Sequence, residues 1–422
     1  MSELASPATA AVPASRPPRG GLIAGLGVAQ IVSWGTLVYS FPLLAEPTML
    51  EFGLGKADVY LLASMALAVA AVAAYPVGVL IDRGFGRAVM GAGSALAGLG
   101  FLAWSQLQMA WQLYPVFLLL GLVQSMTLYD AAFAVVARLS GTDTRRAITA
   151  LTLWGGFAST VLVPVAQLLL DSFGWRGALI TLGIGNLAIA ALTVAILPEP
   201  PAGARKTKTT PAAERMDAGT GASTGAVRRV AAKPAFWLLT VSFALHSGIF
   251  SALSYHLYPL LTERGFTAAA VVGAIAVIGP AQVAGRFLVS ILARRMPIGR
   301  LGSVVVAGFP LSALILFMSG PDLLMAYLFA ALYGAANGIM TIVRGMAVPE
   351  MLTRESYGAI NGAMVAPATV AKAAAPVLGA LLWQASGAYD ALLVAAALGA
   401  LVMTGCFWAA AIASRPDRRA EP

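Results

Sequence analysis

Apolar runs of about 20 residues or more recur twelve times along this 422-residue chain, separated by short loops and one longer polar stretch. A run of that length spans the roughly 30 Å hydrocarbon core of a bilayer as a helix. An open strand cannot satisfy its backbone in lipid, so all twelve are expected to be helical. The runs are 21–45, 58–81, 88–107, 112–138, 147–170 and 177–198, then 234–261, 268–292, 300–319, 323–348, 358–383 and 389–413. Composition agrees: 59% of residues are hydrophobic and 11% charged, against about 25% charged in a soluble domain. The chain reads as an all-α integral membrane protein, with the lipid bilayer as its first partner.

Several function classes fall away at once. The net charge of +9 does not point to nucleic acid, because the bases sit singly or in pairs between apolar runs, as membrane proteins place them. Cys406 is the only cysteine and there are two histidines, so no disulfide framework, CxxC site or zinc site is expected. There is no HExxH, no Cys/His pair and no glycine-rich phosphate loop, so an enzyme or sensor finds no support and no cofactor is expected.

The charge pattern orients the chain. Arg16, Arg19, Arg83, Arg87, Arg138, Arg145, Arg146, the linker bases, Arg294, Arg295, Arg300, Arg354 and the C-terminal arginines fall on one side, and Lys56, Arg176 and Arg264 on the other. The positive-inside rule then places both termini in the cytoplasm. Residues 1–20, rich in Ala, Pro and Ser, read as a disordered tail. The run at 21–45 exceeds a signal-peptide core and is kept as a span. The expected division is a six-helix bundle at 21–198, a cytoplasmic linker at 199–233, a second bundle at 234–414 and a tail at 415–422. The bundles echo each other. Pro164-Val-Ala-Gln-Leu-Leu-Leu-Asp-Ser-Phe-Gly174 in the fifth span parallels Pro376-Val-Leu-Gly-Ala-Leu-Leu-Trp-Gln-Ala-Ser-Gly387 in the eleventh. Repeated halves are what alternating-access transporters are built from.

Three ionisable residues interrupt spans at depth: Asp130, Arg286 and Lys372. Each costs about 2.5–3.5 kcal/mol at mid-membrane on insertion scales, so they mark a candidate functional site. Arg286 lies eight residues before Arg294, about 12 Å from the end of its helix. Its guanidinium could clamp a carboxylate bidentately, or bind backbone carbonyls or Asp130. Lys372 is too deep to snorkel. It could contact substrate, or satisfy a carbonyl freed by Pro376 one turn on. Asp130 could switch protonation as an arginine approaches and withdraws, or form a permanent salt bridge. Tyr333, Asn337, Thr341 and Arg344 share one helical face, as do Ser247, Ser251, Ser254 and Tyr258. The first stripe reads as a cavity wall with Trp34, Tyr39 and Tyr129, the second equally as a packing seam. His256 is a proton-relay candidate or an interhelical hydrogen bond, and His246 is a weaker one.

The loop Gly78-Val-Leu-Ile-Asp82-Arg83-Gly-Phe-Gly86-Arg87 resembles the Gly-x-x-x-Asp-Arg-x-Gly-Arg signature of the major facilitator superfamily, with Phe85 in place of the usual Gly. The resemblance implies twelve transmembrane helices in two pseudo-symmetric six-helix bundles. Gly78 would then permit close helix packing, and Asp82, Arg83 and Arg87 would form a gating loop. The Arg-x-x-Gln-Gly and Gly-Pro-x-x-Gly-Gly motifs of drug/proton antiporters are absent, at Gln124 and Pro164 respectively. Tyr39-Ser-Phe41-Pro42-Leu43 resembles the first-span motif of monocarboxylate transporters, and Gln282-Val-Ala-Gly-Arg286 their eighth-span Asp-x-x-x-Arg. Lys372 resembles the eleventh-span lysine of oxalate/formate exchangers. Leu43 and Gln282 replace residues implicated in proton coupling in the animal transporters, so substrate class carries over better than coupling. The resemblance implies a secondary transporter of a small organic anion, most of all a monocarboxylate, by proton symport or exchange for a counter-anion. Its expected place is a plasma membrane of the bacterial inner type. The alternative on this fold is a proton-driven exporter of drugs or other toxic molecules.

Overall fold

The computed structural model describes residues 20–140, 144–198, 228–292, 296–353 and 357–414. Among them the regular structure is entirely helical. In order these are α1 (Gly20–Trp34), α2 (Phe41–Phe52), α3 (Lys56–Leu80), α4 (Gly86–Ser105), α5 (Leu113–Thr127), α6 (Tyr129–Ser140), α7 (Thr144–Gly156) and α8 (Ala158–Ile196). After residue 228 come α9 (Pro234–Glu263), α10 (Ala268–Leu292), α11 (Ile298–Met318), α12 (Leu323–Ala347), α13 (Tyr357–Ser386) and α14 (Asp390–Ala413).

Among the described residues, ten apolar helical stretches are long enough to cross a membrane, and two of them run 50 and 51 residues, over Lys56–Ser105 and Arg146–Ile196. At 1.5 Å per residue such a stretch would measure about 75 Å, far beyond one crossing. Each contains a glycine in the left-handed region, Gly84 at φ 95° and Gly174 at φ 66°. A side chain there would clash with the backbone, so the chain turns where only glycine turns freely. Splitting the two long stretches at these glycines matches the twelve expected spans.

Three expected spans are interrupted instead of continuous. The first widens over Gly35–Tyr39 before Phe41, where Pro42 supplies no N–H to the preceding turn. The fourth breaks at Leu128, whose ψ of −170° separates α5 from α6. The carbonyl exposed there, Thr127 O, accepts from Gln30 Nε2 at 2.7 Å. Gln30 is fully buried, so this bond replaces one the helix lost. The fifth breaks at Phe157, after Gly155 and Gly156.

Backbone-to-backbone contact sets the spacing of α10 and α12. A Cβ on Gly285 would lie 2.7 Å from Ala335 O, and one on Gly338 would collide with Gln282 O. Small residues at these points let two helices approach closely without a hydrophobic drive between them. The helices before 198 and after 228 also meet each other. Thr160 Oγ1 donates to Ala276 O at 2.8 Å, tying α8 to α10, and Val377 N donates to Ser64 Oγ at 3.0 Å, tying α13 to α3.

Gly338→Ala is expected to destabilise by about 1–3 kcal/mol through overpacking against α10. Gly405→Ala, with open space around it, should change little. Thermal melting of the detergent-solubilised pair checks this.

Candidate functional site

The three ionisable residues come from three elements: Arg286 from α10, Lys372 from α13 and Asp130 from α6. Arg286 of α10 donates from Nε to Gly338 O at 3.1 Å, from Nη1 to Thr152 O at 2.9 Å and from Nη2 to Gln282 Oε1 at 3.5 Å. All three acceptors are neutral. The Thr152 bond crosses from the second set of helices to α7 of the first, and Tyr39 and Tyr129 lie within electrostatic reach of the guanidinium. No carboxylate pairs with Arg286 among the described residues.

Lys372 sits in α13, four residues before Pro376. The proline frees a carbonyl, and that carbonyl is Lys372's own. Ser251 Oγ of α9 donates to it at 2.8 Å. The backbone defect is therefore repaired by a serine, and the ammonium is not needed for it. Its Nζ stands 5.8 Å from the ring centre of Trp34 and has no hydrogen-bond acceptor among the described residues. Asp130 and Arg344 lie within electrostatic reach of it. Ser251 thus uses part of its stripe as a seam.

Asp130 occupies the first turn of α6, immediately after the break at Leu128, and stays exposed. The structure brings it toward Lys372, and no ion pair joins it to Arg286. Thr341 on α12 is exposed too. Trp34, Tyr39 and Tyr129 line this region: Trp34 lies 5.1 Å from Tyr129 and 6.3 Å from Tyr39, centre to centre.

Tyr39, Gln282 and Tyr333 also border a cavity between α9, α10 and the first span. Asn337 lies one turn from Tyr333 and its Oδ1 is 2.9 Å from His246 Nε2. Of the expected substrate contacts, these residues and Trp34 converge with Arg286 and Lys372.

Other expected residues lie elsewhere. His256 is fully buried near the Lys56 end. Its Nε2 is 2.8 Å from Pro376 O and its Nδ1 is 3.2 Å from Tyr389 Oη. Its ring stacks on Tyr60 of α3 at 4.1 Å. With Nε2–H donating and Nδ1 accepting, both nitrogens are occupied, so His256 braces α9 against α13. Beside it Lys56 Nζ lies 3.4 Å over Trp383 and 4.6 Å from the Tyr389 ring. Glu263 accepts from the Trp383 ring Nε1 at 2.6 Å and from the Tyr389 backbone N at 2.7 Å. This closes one end of the molecule.

The loop at the other end differs from expectation in one detail. Gly78 meets nothing within 4 Å, so it is not a close-packing point in this conformation, whereas a Cβ on Gly86 would lie 2.7 Å from Val135. Asp82 and Arg83 are exposed, and it is the Asp82 carbonyl that accepts from Arg138. Sequence reasoning missed Thr152, Gly338 and Gln30. Gln30, a lone amide in an apolar span, was the one with a readable signal.

Comparison with known proteins agrees with this architecture. Residues 26–364 match the family model described as Major Facilitator Superfamily. The chain belongs to that superfamily and is a membrane transporter, not an enzyme. It is 33% identical over 295 residues to monocarboxylate transporter 11 of Homo sapiens, covering 65% of this chain and 58% of that protein. The Mus musculus protein of the same name is 36% identical over 151 residues, covering 34% of this chain and 32% of its own. The match thus spans well under two thirds of these relatives. Among solved structures, a bacterial homolog of the human lysosomal transporter Spinster, inward-facing and unoccupied, superposes with TM-score 0.71 at 15% identity, covering 96% of this chain and 100% of that one. The nucleoside transporter NupG gives 0.71 at 12% identity, covering 92% and 98%. At these identities the likeness establishes the fold.

Lys56→Met removes the cation above Trp383. Such a contact is worth about 0.5–2 kcal/mol, so the population open at this end should rise about 2- to 30-fold. Labelling of a Ser64→Cys, Cys406→Ser protein with an impermeant maleimide, with and without Lys56→Met, measures it.

Proposed function

We propose that this chain carries a small monocarboxylate across a membrane by alternating access, with the carboxylate held between Arg286 and Lys372. The observation that supports this most is the Lys372 ammonium, which faces Trp34 with no hydrogen-bond acceptor among the described residues. Arg286, on α10, has only neutral oxygens for partners. Two cations so placed need a negative charge more than neutral partners can supply. An arriving carboxylate provides it, and its binding draws the two sets of helices together, because Arg286 already bridges α10 and α7. The monocarboxylate transporter likeness points to the same substrate class.

In this reading Asp130 is the internal competitor for Lys372. When substrate occupies the lysine, Asp130 is displaced as its counter-charge and is the group proposed to carry the coupled proton. That links anion and proton movement in one direction, a symport. Without a titrating Asp130, the same site works as an anion exchanger. The basic loops and the linker are placed in the cytoplasm by the positive-inside rule, with the Lys56 end outside.

Arg286→Lys should lower uptake of labelled acetate or propionate into proteoliposomes at least about tenfold, because an ammonium cannot reproduce a bidentate contact. Equal uptake by both proteins removes the clamp. Asp130→Asn should abolish uptake driven by a pH gradient while counterflow at fixed pH continues. Uptake that still follows the gradient removes Asp130 from coupling.

A further inference from the structure

Between α13 and α14 the chain folds back on itself. Gly387 takes a φ of 75°, in the left-handed region, and its N–H donates to Trp383 O at 2.7 Å. The turn leaves the Trp383 and Tyr389 rings 6.3 Å apart, centre to centre, and inclined at 45°. Glu263, the last residue of α9, ties the two residues together by accepting from Trp383 Nε1 and from Tyr389 N. Two further contacts fix the same corner. Arg264 pairs with Asp390 at 2.9 Å, and Tyr389 Oη is 3.2 Å from His256 Nδ1. All of these residues belong to the chain after residue 228.

The group that lies over both rings comes from the other set of helices. Lys56, the first residue of α3, places Nζ 3.4 Å from the Trp383 ring centre and 4.6 Å from that of Tyr389, with Glu263 within electrostatic reach. Two aromatic faces and a carboxylate suit an ammonium ion: the ring quadrupoles attract the charge and the carboxylate balances it. In this closed arrangement Tyr389 is buried, Trp383 half-buried and Glu263 exposed. None of the ties that shape this frame involves α3. When the two sets part at this end, Lys56 leaves with α3 and the frame stays with α9, α13 and α14. The frame is then an empty cage that faces the solution.

We propose that this cage is a binding site for a dissolved primary alkylammonium ion, which takes the place of Lys56 when the helices part. The lysine side chain is such an ion on a tether, so the closed structure shows the pose. An ion seated there keeps Lys56 out, and the end that Lys56 would close stays open. The ion thus arrests the cycle from that side. The class of ligand follows from the cage. An anion is repelled by Glu263 and by the negative ring faces. A neutral alcohol of the same length gains nothing from the rings' charge distribution. A quaternary ammonium ion has no N–H to give Glu263, and its methyl groups keep the nitrogen from approaching a ring as closely as Lys56 does. The proposal requires the two sets to part at this end and does not depend on what the centre carries.

The test is saturation-transfer NMR on the detergent-solubilised protein with n-butylammonium, the free counterpart of the lysine side chain, and 1-butanol as the neutral control. Lys56→Ala removes the tethered competitor and should strengthen n-butylammonium binding about 2- to 30-fold over wild type, the worth of the contact it vacates. Adding Trp383→Leu to Lys56→Ala should weaken binding by about the same factor. Adding Glu263→Gln, which keeps an acceptor for Trp383 but removes the charge, should weaken it too. Tetramethylammonium should bind less tightly than n-butylammonium. In the Ser64→Cys, Cys406→Ser protein, n-butylammonium should raise maleimide labelling and 1-butanol should not. Thermal melting confirms that each variant is folded, and Glu263→Gln carries the test if Trp383→Leu is not. Equal binding by wild type and Lys56→Ala, equal transfer to 1-butanol, or binding unmoved in the folded cage variants overturns the site. Tetramethylammonium as the tighter ligand overturns the assigned class, and labelling unmoved by n-butylammonium overturns its hold on the open end.

Discussion

The hydrocarbon core of a bilayer offers no hydrogen bonds, so every polar group that enters it must find a partner inside the protein. The rest of this structure follows from that demand. Pro376 costs α13 a backbone bond, and Ser251 on α9 makes good the carbonyl of Lys372. The break at Leu128 exposes Thr127 O, and a buried glutamine on α1 answers it. Each repair comes from a different helix, so each local defect becomes an interhelical tie. The same repairs leave Lys372 unengaged: had its ammonium bent back to the helix, no free cation would face Trp34.

The two sets of helices contribute different things to the centre. Those before residue 198 supply its interruptions, at Gly35–Tyr39, Leu128 and Phe157, together with the aromatic wall of Trp34, Tyr39 and Tyr129. Those after residue 228 supply the cations. A broken helix near a charge is useful because it presents backbone and first-turn side chains sideways, as Asp130 is presented at the start of α6. Arg286 reaches across the divide to Thr152. It therefore belongs both to the proposed anion site and to a contact between the two sets.

Much of this was legible in the sequence, for reasons that can be stated. Helical spans are dictated by lipid, and Arg286 and Lys372 stand out because charge there is costly. Tyr333 and Asn337 were legible by their shared face. The helix breaks at Leu128 and Phe157 were not, because the residues are ordinary apolar ones and the deciding bond comes from Gln30, 97 positions away. Gly78 was expected to pack closely because glycine usually marks such a place, but it faces open space and Gly86 makes the contact. The roles of His256 were both in view. The choice between them depended on Pro376 O and Tyr389 Oη, which only the fold brings within reach.

A transporter must also come apart, and the contacts between the sets of helices are of kinds that can. Lys56 over Trp383, Tyr60 on His256 and the Ser64–Val377 bond are each single contacts between neutral or singly charged groups. None is a buried ion pair, whose separation in lipid would leave two charges uncompensated. At the Lys56 end the cation loses the Trp383 and Tyr389 rings and the nearby Glu263 carboxylate, and regains water, when the helices part. The centre is different. On the proposed carboxylate reading, an anion bound between Arg286 and Lys372 would lower the cost of rearrangement as well as being the thing transported. Strength at the site and weakness at the end would then be two sides of one design, in which the proposed anion licenses the movement that carries it.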